Sequence, residues 1–230
     1  MPKAPVMPVD PAGECAFAGT RCTRRRRVAI LLFDEVEVLD FAGPFEVFAV
    51  ARTALGDAAF DVMTVALEPG EVATRNGLRV VPGATTGSLE ATDILVIPGG
   101  PGTRREMTNP QMLEFVGTAS CSAELTLSVC TGALLLGAAG LLAGRSATTH
   151  WAAMGELEAL DSGATLLPGS RVVDNGSLVV CAGVSAGIDG ALHVVERLLG
   201  RPQAEATALA MEYDWTGFDR DGRPLVTAAS

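Results

Sequence analysis

The sequence contains few of the residues that build metal centres and disulfide frameworks. Only two of its 230 residues are histidines, and its five cysteines are widely spaced, with no Cys-x-x-Cys pair among them. The histidine count excludes a zinc cage of the usual spacing, and an odd number of scattered cysteines does not form a disulfide framework. We therefore expect no metal and no cofactor, and we predict a reduced, cytoplasmic protein.

Long apolar runs and an excess of positive charge are also missing. Without such a run we expect no contact with a membrane. The net charge is −10, although residues 1–27 hold six basic and only two acidic side chains. The rest of the chain is therefore strongly acidic, which argues against nucleic acid as a partner. We interpret the basic run Arg24–Arg27 as a solvated stretch.

The remaining composition is that of a globular domain. Hydrophobic residues make up 48% of the chain and charged residues 19%, and a chain of this length can bury a large core as one α/β domain. We predict a disordered tail over residues 1–26, one domain over residues 27–213 and an irregular tail over residues 214–230.

Predicted strands alternate with predicted helices along the domain, which is typical of an α/β fold with a mainly parallel sheet. Arg27–Phe33 is a continuous apolar run of the kind found in fully buried parallel strands, and Asp93–Ile97 is a second buried strand. A proline at a tolerated first-turn position predicts a helix from Pro44 to about Ala51. The Asn76-Gly77 pair within Val72–Val81 predicts a small antiparallel excursion.

One stretch, Leu125–Leu136, organises the rest of the chain. Its first half is typical of a buried strand and its second half of a helix, which we predict to end near Gly144. Cys130 lies at the junction, where the free amides of the helix's first turn point toward it. The helix N-terminus favours a thiolate there. A thiol pKa lowered from about 8.5 to about 6 would raise the thiolate share at neutral pH from roughly 3% to roughly 90%.

Cys130 is therefore a candidate nucleophile. The alternative is an inert buried cysteine, an interpretation that suits Cys121 and Cys181.

Two features near strand ends could serve such a thiol. Asp40 lies beyond the C-terminal end of the first predicted strand, where ligands bind in open α/β sheets. It is either a helix cap or turn former, or a carboxyl group that reaches Cys130. The turn Pro98–Gly102 follows another strand, and Gly99 and Gly100 within it let backbone amides approach a ligand closely. No Gly-Lys-Ser/Thr follows, so this turn is not a phosphate loop.

Three further residues have alternatives that the pattern leaves open. Thr131 is either a helix cap or a hydroxyl that hydrogen-bonds a substrate or a water. His150 is either a structural histidine bonded to the backbone, or the base or orienting partner of the thiol. Asp189 is predicted to lie in a helix rather than at the site.

Taken together, these motifs resemble the ThiJ/PfpI superfamily, a class I glutamine amidotransferase-like domain. The resemblance implies a flavodoxin-like three-layer sandwich and covers roughly residues 27–215. It rests on the order and spacing of five segments: Leu39–Pro44, Ile97–Gly100, Ser128–Gly132, Ala147–Trp151 and Ala186–Asp189. Within the superfamily, the motifs are most similar to those of the isonitrile hydratases.

The resemblance also implies roles for individual residues. Cys130 matches the nucleophile and Asp40 the carboxyl group beside it. Thr131 matches the threonine that follows the nucleophile in isonitrile hydratases. The backbone amides of Gly100, in the Gly99-Gly100 turn, and of Thr131 match an oxyanion-hole-like pocket.

The implied function is a cysteine-dependent hydratase that adds water to an isonitrile, a small-molecule substrate, and releases an N-substituted formamide. The implied assembly is a homodimer. Protease-like members carry histidine directly after the nucleophile, where this chain has Thr131, so a peptidase is disfavoured. His150 matches a position that is histidine in several branches.

Two alternatives stay open: a thiol enzyme acting on small carbonyls such as glyoxals, and a non-enzymatic small-molecule or redox sensor. Related transcription regulators join this domain to a helix-turn-helix pair, for which residues 214–230 are too short.

Overall fold

The computed structural model describes residues 25–217 and 226–228. The strands are β1 Arg26–Leu31, β2 Phe60–Ala66, β3 Val72–Ala73, β4 Arg79–Val80, β5 Ala84–Thr85, β6 Ile94–Ile97, β7 Leu125–Val129, β8 Ser146–Ala147, β9 Thr165–Leu166, β10 Val172–Asp174, β11 Leu178–Cys181 and β12 Val226–Ala228. The helices are α1 Val38–Val50, α2 Thr103–Glu106, α3 Pro110–Ser122, α4 Gly132–Ala138, α5 Met154–Ala159, α6 Ala186–Leu199 and α7 Arg201–Ala210. Most of the predicted N-terminal tail, residues 1–24, lies outside the described residues.

The main sheet has eight strands in the order β12-β10-β11-β7-β6-β1-β2-β5. The six strands from β11 to β5 are parallel, whereas β10 pairs antiparallel with β11, and β12 runs parallel to β10. Helices α1, α6 and α7 pack together in one layer, and α2, α3 and α5 pack around α4 in the other. This confirms the three-layer α/β fold with a mainly parallel sheet. The antiparallel pair β3–β4 confirms the predicted excursion.

The register of the central strands positions the site. Strands β6 and β7 are buried along their whole length, as expected for parallel strands covered on both faces. Ile97 of β6 pairs with Ser128 of β7. The glycine-rich turn after β6 and Cys130 after β7 therefore leave the sheet side by side, at the edge where α/β folds bind ligands.

Helix α1 differs from the prediction, because it begins at Val38 rather than at Pro44. Pro44 lies inside the helix, where it has no N–H to donate to the Asp40 carbonyl. Burial of Phe41, Pro44 and Val47 in the core offsets this lost hydrogen bond. As a consequence, Asp40 is held in the first helical turn instead of in a loop.

Two other element ends also differ from the prediction. Helix α4 ends at Ala138, not near Gly144, because Gly140 and Gly144 adopt left-handed conformations with φ of +74° and +70°. The segment predicted to be irregular contains β12, which pairs with the edge of β10. An unpaired strand edge can recruit a distant segment without any local sequence pattern that reveals it.

Candidate active site

Cys130 follows β7 directly and has a left-handed backbone conformation, with φ of +56°. Residues other than glycine seldom adopt this conformation, so the turn between strand and helix is strained. Gly132 begins α4, and a Cβ at this position would lie 2.2 Å from the Ile97 carbonyl oxygen. The Cys130 side chain is 5% exposed and lines a cavity of about 380 Å³.

Asp40 reaches the same junction from the first turn of α1. Its side chain is fully buried, and its Oδ2 accepts a hydrogen bond of 3.0 Å from the Gly99 amide. Its Oδ1 is buried without a hydrogen-bond partner among the described residues. Burial raises the pKa of Asp40 from 3.8 to about 7, although the Gly99 amide and Cys130 oppose this rise. Such a carboxyl group can hold or release a proton near neutral pH.

The thiol and the carboxyl group change each other's proton affinity. Burial first, and the charge of Asp40 second, raise the pKa of Cys130 to about 12, while the backbone amides of Thr131 and Val184 lower it. The lowered thiol pKa predicted from the helix N-terminus is therefore wrong, because burial and a neighbouring carboxylate outweigh the short helix. Below about pH 7 both groups hold a proton, and above it Cys130 keeps the remaining one, so near neutral pH a thiolate would require that Asp40 takes this proton.

The glycine-rich turn after β6 donates hydrogen bonds to both Asp40 and Thr131. The Gly99 amide donates to Asp40, and the Gly100 amide donates to the Thr131 Oγ1 at 2.9 Å. The Thr103 hydroxyl donates to the Gly100 carbonyl oxygen at 2.8 Å. Both glycine amides, one of which was predicted to serve an oxyanion, thus have protein acceptors, and the Thr131 hydroxyl is bonded to the Gly100 peptide. A direct contact of any of these groups with substrate stays a prediction.

His150 lines the same cavity as Cys130. Its Nδ1 accepts a hydrogen bond of 3.2 Å from the Ala152 amide and so caps the short turn Trp151–Ala153. Its ring packs against Gly183, where a Cβ would lie 2.3 Å from the His150 Cδ2. These contacts support the structural alternative, in which His150 shapes the wall of the cavity.

Val184 is a residue of the site that the sequence did not reveal. It lies between β11 and α6, has φ of +47° and lines the cavity beside Cys130. Its backbone amide approaches the Cys130 sulfur and lowers the pKa of the thiol. Any residue can supply a backbone amide, so no side-chain pattern could have pointed to this position.

Two ion pairs also line the cavity and were not predicted. Arg75 contacts Glu37 at 2.8 Å, and Arg104 contacts Glu156 at 2.6 Å. The hydrogen bonds and charge of Arg104 lower the pKa of Glu156. The partners of each pair are distant in the chain, so only the folded structure brings them together.

Within residues 25–217 and 226–228, no group of three or more His, Cys, Asp or Glu side chains could hold a metal ion. None of the helices described there has both the length and the apolarity needed to cross a bilayer.

The fold and the site define a class of protein: flavodoxin-like α/β domains in which a cysteine at a strand-to-helix turn meets a buried carboxyl group. The chain belongs to the DJ-1/PfpI family, whose model matches residues 26–197. This confirms the resemblance inferred from the motifs.

Individual relatives agree with this assignment. Isonitrile hydratase of Pseudomonas putida is 38% identical over 187 residues, which span 81% of this chain and 78% of that protein. The crystal structure of a ThiJ/PfpI family protein from Pseudomonas syringae matches with a TM-score of 0.76 and 31% identity, covering 87% of this chain and 82% of that one. The HTH-type transcriptional regulator GbdR of Pseudomonas aeruginosa is 25% identical over 84% of this chain, but the match covers only 52% of the regulator.

Proposed function

We propose that this protein is a cysteine-dependent hydratase that adds water to an isonitrile and releases the N-substituted formamide. The observation that carries the proposal is the buried pair of Asp40 and Cys130 beside a cavity of about 380 Å³, in which the pKa of Asp40 is raised to about 7. The 38% identity to an isonitrile hydratase supports the same class of substrate. The terminal carbon of an isonitrile must receive both a proton and a nucleophile, and this pair can supply both.

In the first step, Asp40 donates its proton to the terminal carbon of R–N≡C, and the Cys130 thiolate attacks that carbon. A C–H bond and a C–S bond form, which yields a thioimidate and leaves Asp40 as a carboxylate. The unpartnered Oδ1 is the oxygen with free capacity for this transfer.

In the second step, the Asp40 carboxylate takes a proton from water as the water oxygen adds to the same carbon. Asp40 passes that proton to the nitrogen, so a tetrahedral adduct forms. The adduct collapses when its hydroxyl proton returns to Asp40, the C=O bond forms and the C–S bond breaks. The products are R–NH–CHO, the thiolate and the protonated carboxyl group, which restores the starting state.

Hydration of cyclohexyl isocyanide to N-cyclohexylformamide tests the proposal directly. We expect turnover by the purified protein and background turnover by Cys130→Ala, because this variant lacks the sulfur that forms the proposed C–S bond. Cys121→Ala is the matched control, since it removes an exposed thiol from α3, and it should retain the original rate. Unchanged turnover by Cys130→Ala would contradict the mechanism.

The same preparations distinguish the two alternative functions. Lactate from methylglyoxal, without formamide from the isonitrile, would favour a thiol enzyme acting on small carbonyls. No turnover of either compound, together with stoichiometric oxidation of Cys130 by peroxide, would favour a sensor.

We further propose a cytoplasmic homodimer. Trp151 and Leu209 are large apolar side chains with exposures of 83% and 78%, and a second copy of the chain could remove such surface from water. Cys121, Cys130 and Cys181 are free thiols, which suits a reducing compartment. A mass of one chain in light scattering would contradict the dimer.

A further inference from the structure

Asp189 is a buried carboxylate that the proposed reaction does not use. It lies in the first turns of α6 and is 2% exposed. Its Oδ2 pairs with the Arg171 guanidinium, and its Oδ1 accepts a hydrogen bond of 3.0 Å from the Tyr213 hydroxyl. A carboxylate this deeply buried requires such partners, so the three side chains form one cluster.

Arg171 connects this cluster to the loop between β11 and α6. Its Nη2 donates to the Ser185 Oγ at 3.1 Å, and its carbonyl oxygen accepts a hydrogen bond of 2.9 Å from the Ala182 amide. Arg171 therefore holds both ends of the loop 182–185. Because Asp189 fixes the guanidinium, the position of the loop depends on Asp189 and Tyr213.

The same loop contacts the backbone and the side chain of Cys130. The Cys130 amide donates to the Ala182 carbonyl oxygen at 3.1 Å. Val184, in its left-handed conformation, lines the cavity beside the thiol. A β-branched residue does not hold this conformation unless its surroundings impose it.

We propose that Asp189, Arg171 and Tyr213 are positioning residues that hold the loop 182–185 so that the Val184 amide stays directed at the Cys130 sulfur. The proposal rests on the proposed role of Cys130 as the nucleophile. Through the hydrogen bond from Tyr213 to Asp189, the segment after α7 would also help to position the amide that faces the thiol.

A positioning role of Asp189 and a purely electrostatic role predict opposite changes in the rate at which Cys130 is alkylated in Asp189→Asn. Asp189→Asn removes a negative charge and leaves Arg171 without its ion-pair partner, so charge alone would favour the thiolate and speed its alkylation. Loss of the loop position would withdraw the amide and slow alkylation. The charged and titratable groups around the thiol stay the same in every variant: Asp40 beside it, and Glu37, Arg75, Arg104, His150 and Glu156 in the cavity lining.

Alkylation of Cys130 by iodoacetamide, followed by mass spectrometry of its peptide, measures the thiolate between about pH 7 and about pH 10. Losing a hydrogen bond to the charged sulfur corresponds to a pKa rise of about one unit, so Asp189→Asn should react about tenfold more slowly at each pH. Tyr213→Phe changes no charge and removes one hydrogen bond, so we expect a rate about threefold lower.

Asp174→Asn is the matched control. Asp174 pairs with Arg197 and His193 of the same helix α6, but not with the loop 182–185. This variant should alkylate at the original rate even if its stability falls. Faster alkylation of Asp189→Asn, or unchanged alkylation of both Asp189→Asn and Tyr213→Phe in folded protein, would overturn the proposal.

This measurement is independent of hydration. A protein that turns over no isonitrile but shows the expected alkylation pattern would refute the proposed function and leave the positioning role intact. Circular dichroism of each variant identifies any that fails to fold, and Tyr213→Phe keeps the test open if Asp189→Asn is one of them.

Discussion

At the scale of single residues, the site depends on the mutual effect of Asp40 and Cys130. Burial suppresses the charge on both groups, and the charge of Asp40 adds to this effect at Cys130, as the raised pKa of each indicates. Because the two groups are adjacent, a proton lost by one can be held by the other, and only one negative charge is buried at a time. This arrangement allows a buried thiolate to form without a neighbouring histidine as its base.

Asp40→Asn tests this coupling, because it removes the proton carrier while keeping the size of the side chain. We expect kcat to fall about 10²–10⁴-fold. In the original protein, kcat/KM should rise with pH through about 7 and then level off, since the doubly protonated pair at low pH has neither thiolate nor carboxylate. Steady-state hydration kinetics across pH should lack this midpoint in the variant. A midpoint that survives the substitution would assign it to another group.

At the scale of secondary-structure elements, the site is built where three elements meet. The first turn of α1 carries Asp40, the turn after β6 carries Gly99 and Gly100, and the junction of β7 with α4 carries Cys130. The backbones of these elements pack closely against one another, as the short distances around Gly99 and Gly132 show. Small changes in packing there move the reacting groups relative to one another.

Gly132→Ala tests the junction of β7 with α4. The added Cβ would lie 2.2 Å from the Ile97 carbonyl oxygen and 3.0 Å from that of Pro98, so the backbone must shift. We expect the free energy of unfolding to fall by about 1–3 kcal/mol, with slower turnover per folded molecule, measured by urea denaturation and kinetics.

Gly117→Ala is the control for this substitution. Gly117 lies inside α3, and nothing lies within 4 Å of a Cβ at this position. Replacing an unhindered helical glycine with alanine should stabilise the protein by about 0.5–1 kcal/mol. A Gly132→Ala protein as stable and active as the original would contradict the close packing of the junction.

At the scale of the whole molecule, Asp40 makes stability depend on pH. Its pKa is about 7 in the folded protein and 3.8 when exposed. The neutral carboxyl group is fully compatible with folding below about pH 4, and stability is lost as pH rises toward and through about 7. The group that the proposed reaction needs therefore destabilises the fold at neutral pH and above.

Asp40→Asn should consequently be more stable than the original protein at pH values above about 7, by up to about 4 kcal/mol. The gain in stability should be smaller at about pH 5, because at that pH the folded protein keeps Asp40 protonated and the free energy that the unfolded state gains by ionising it is smaller. Urea denaturation of both proteins at the two pH values measures it. A stability difference that does not change with pH would mean that Asp40 does not titrate differently in the two states.

Local sequence patterns were sufficient for much of the architecture. The predicted buried strands Arg27–Phe33 and Asp93–Ile97 correspond to β1 and β6, and Asp189 lies in helix α6, as predicted. The gathering of Asp40, Gly99 and Cys130 at one edge also followed from sequence, because parallel strands bring their C-terminal ends together.

The sequence by itself determined the α/β fold, because hydrophobic periodicity, caps and glycine turns act over a few residues. Its motifs indicated the family by resemblance, and with it the residues that meet at the site. Only the tertiary structure decided where α1 begins, which amides face the thiol, and how burial raises the pKa of both Asp40 and Cys130. A pKa depends on burial and on charges brought close by folding, and neither can be read from neighbouring residues in the chain.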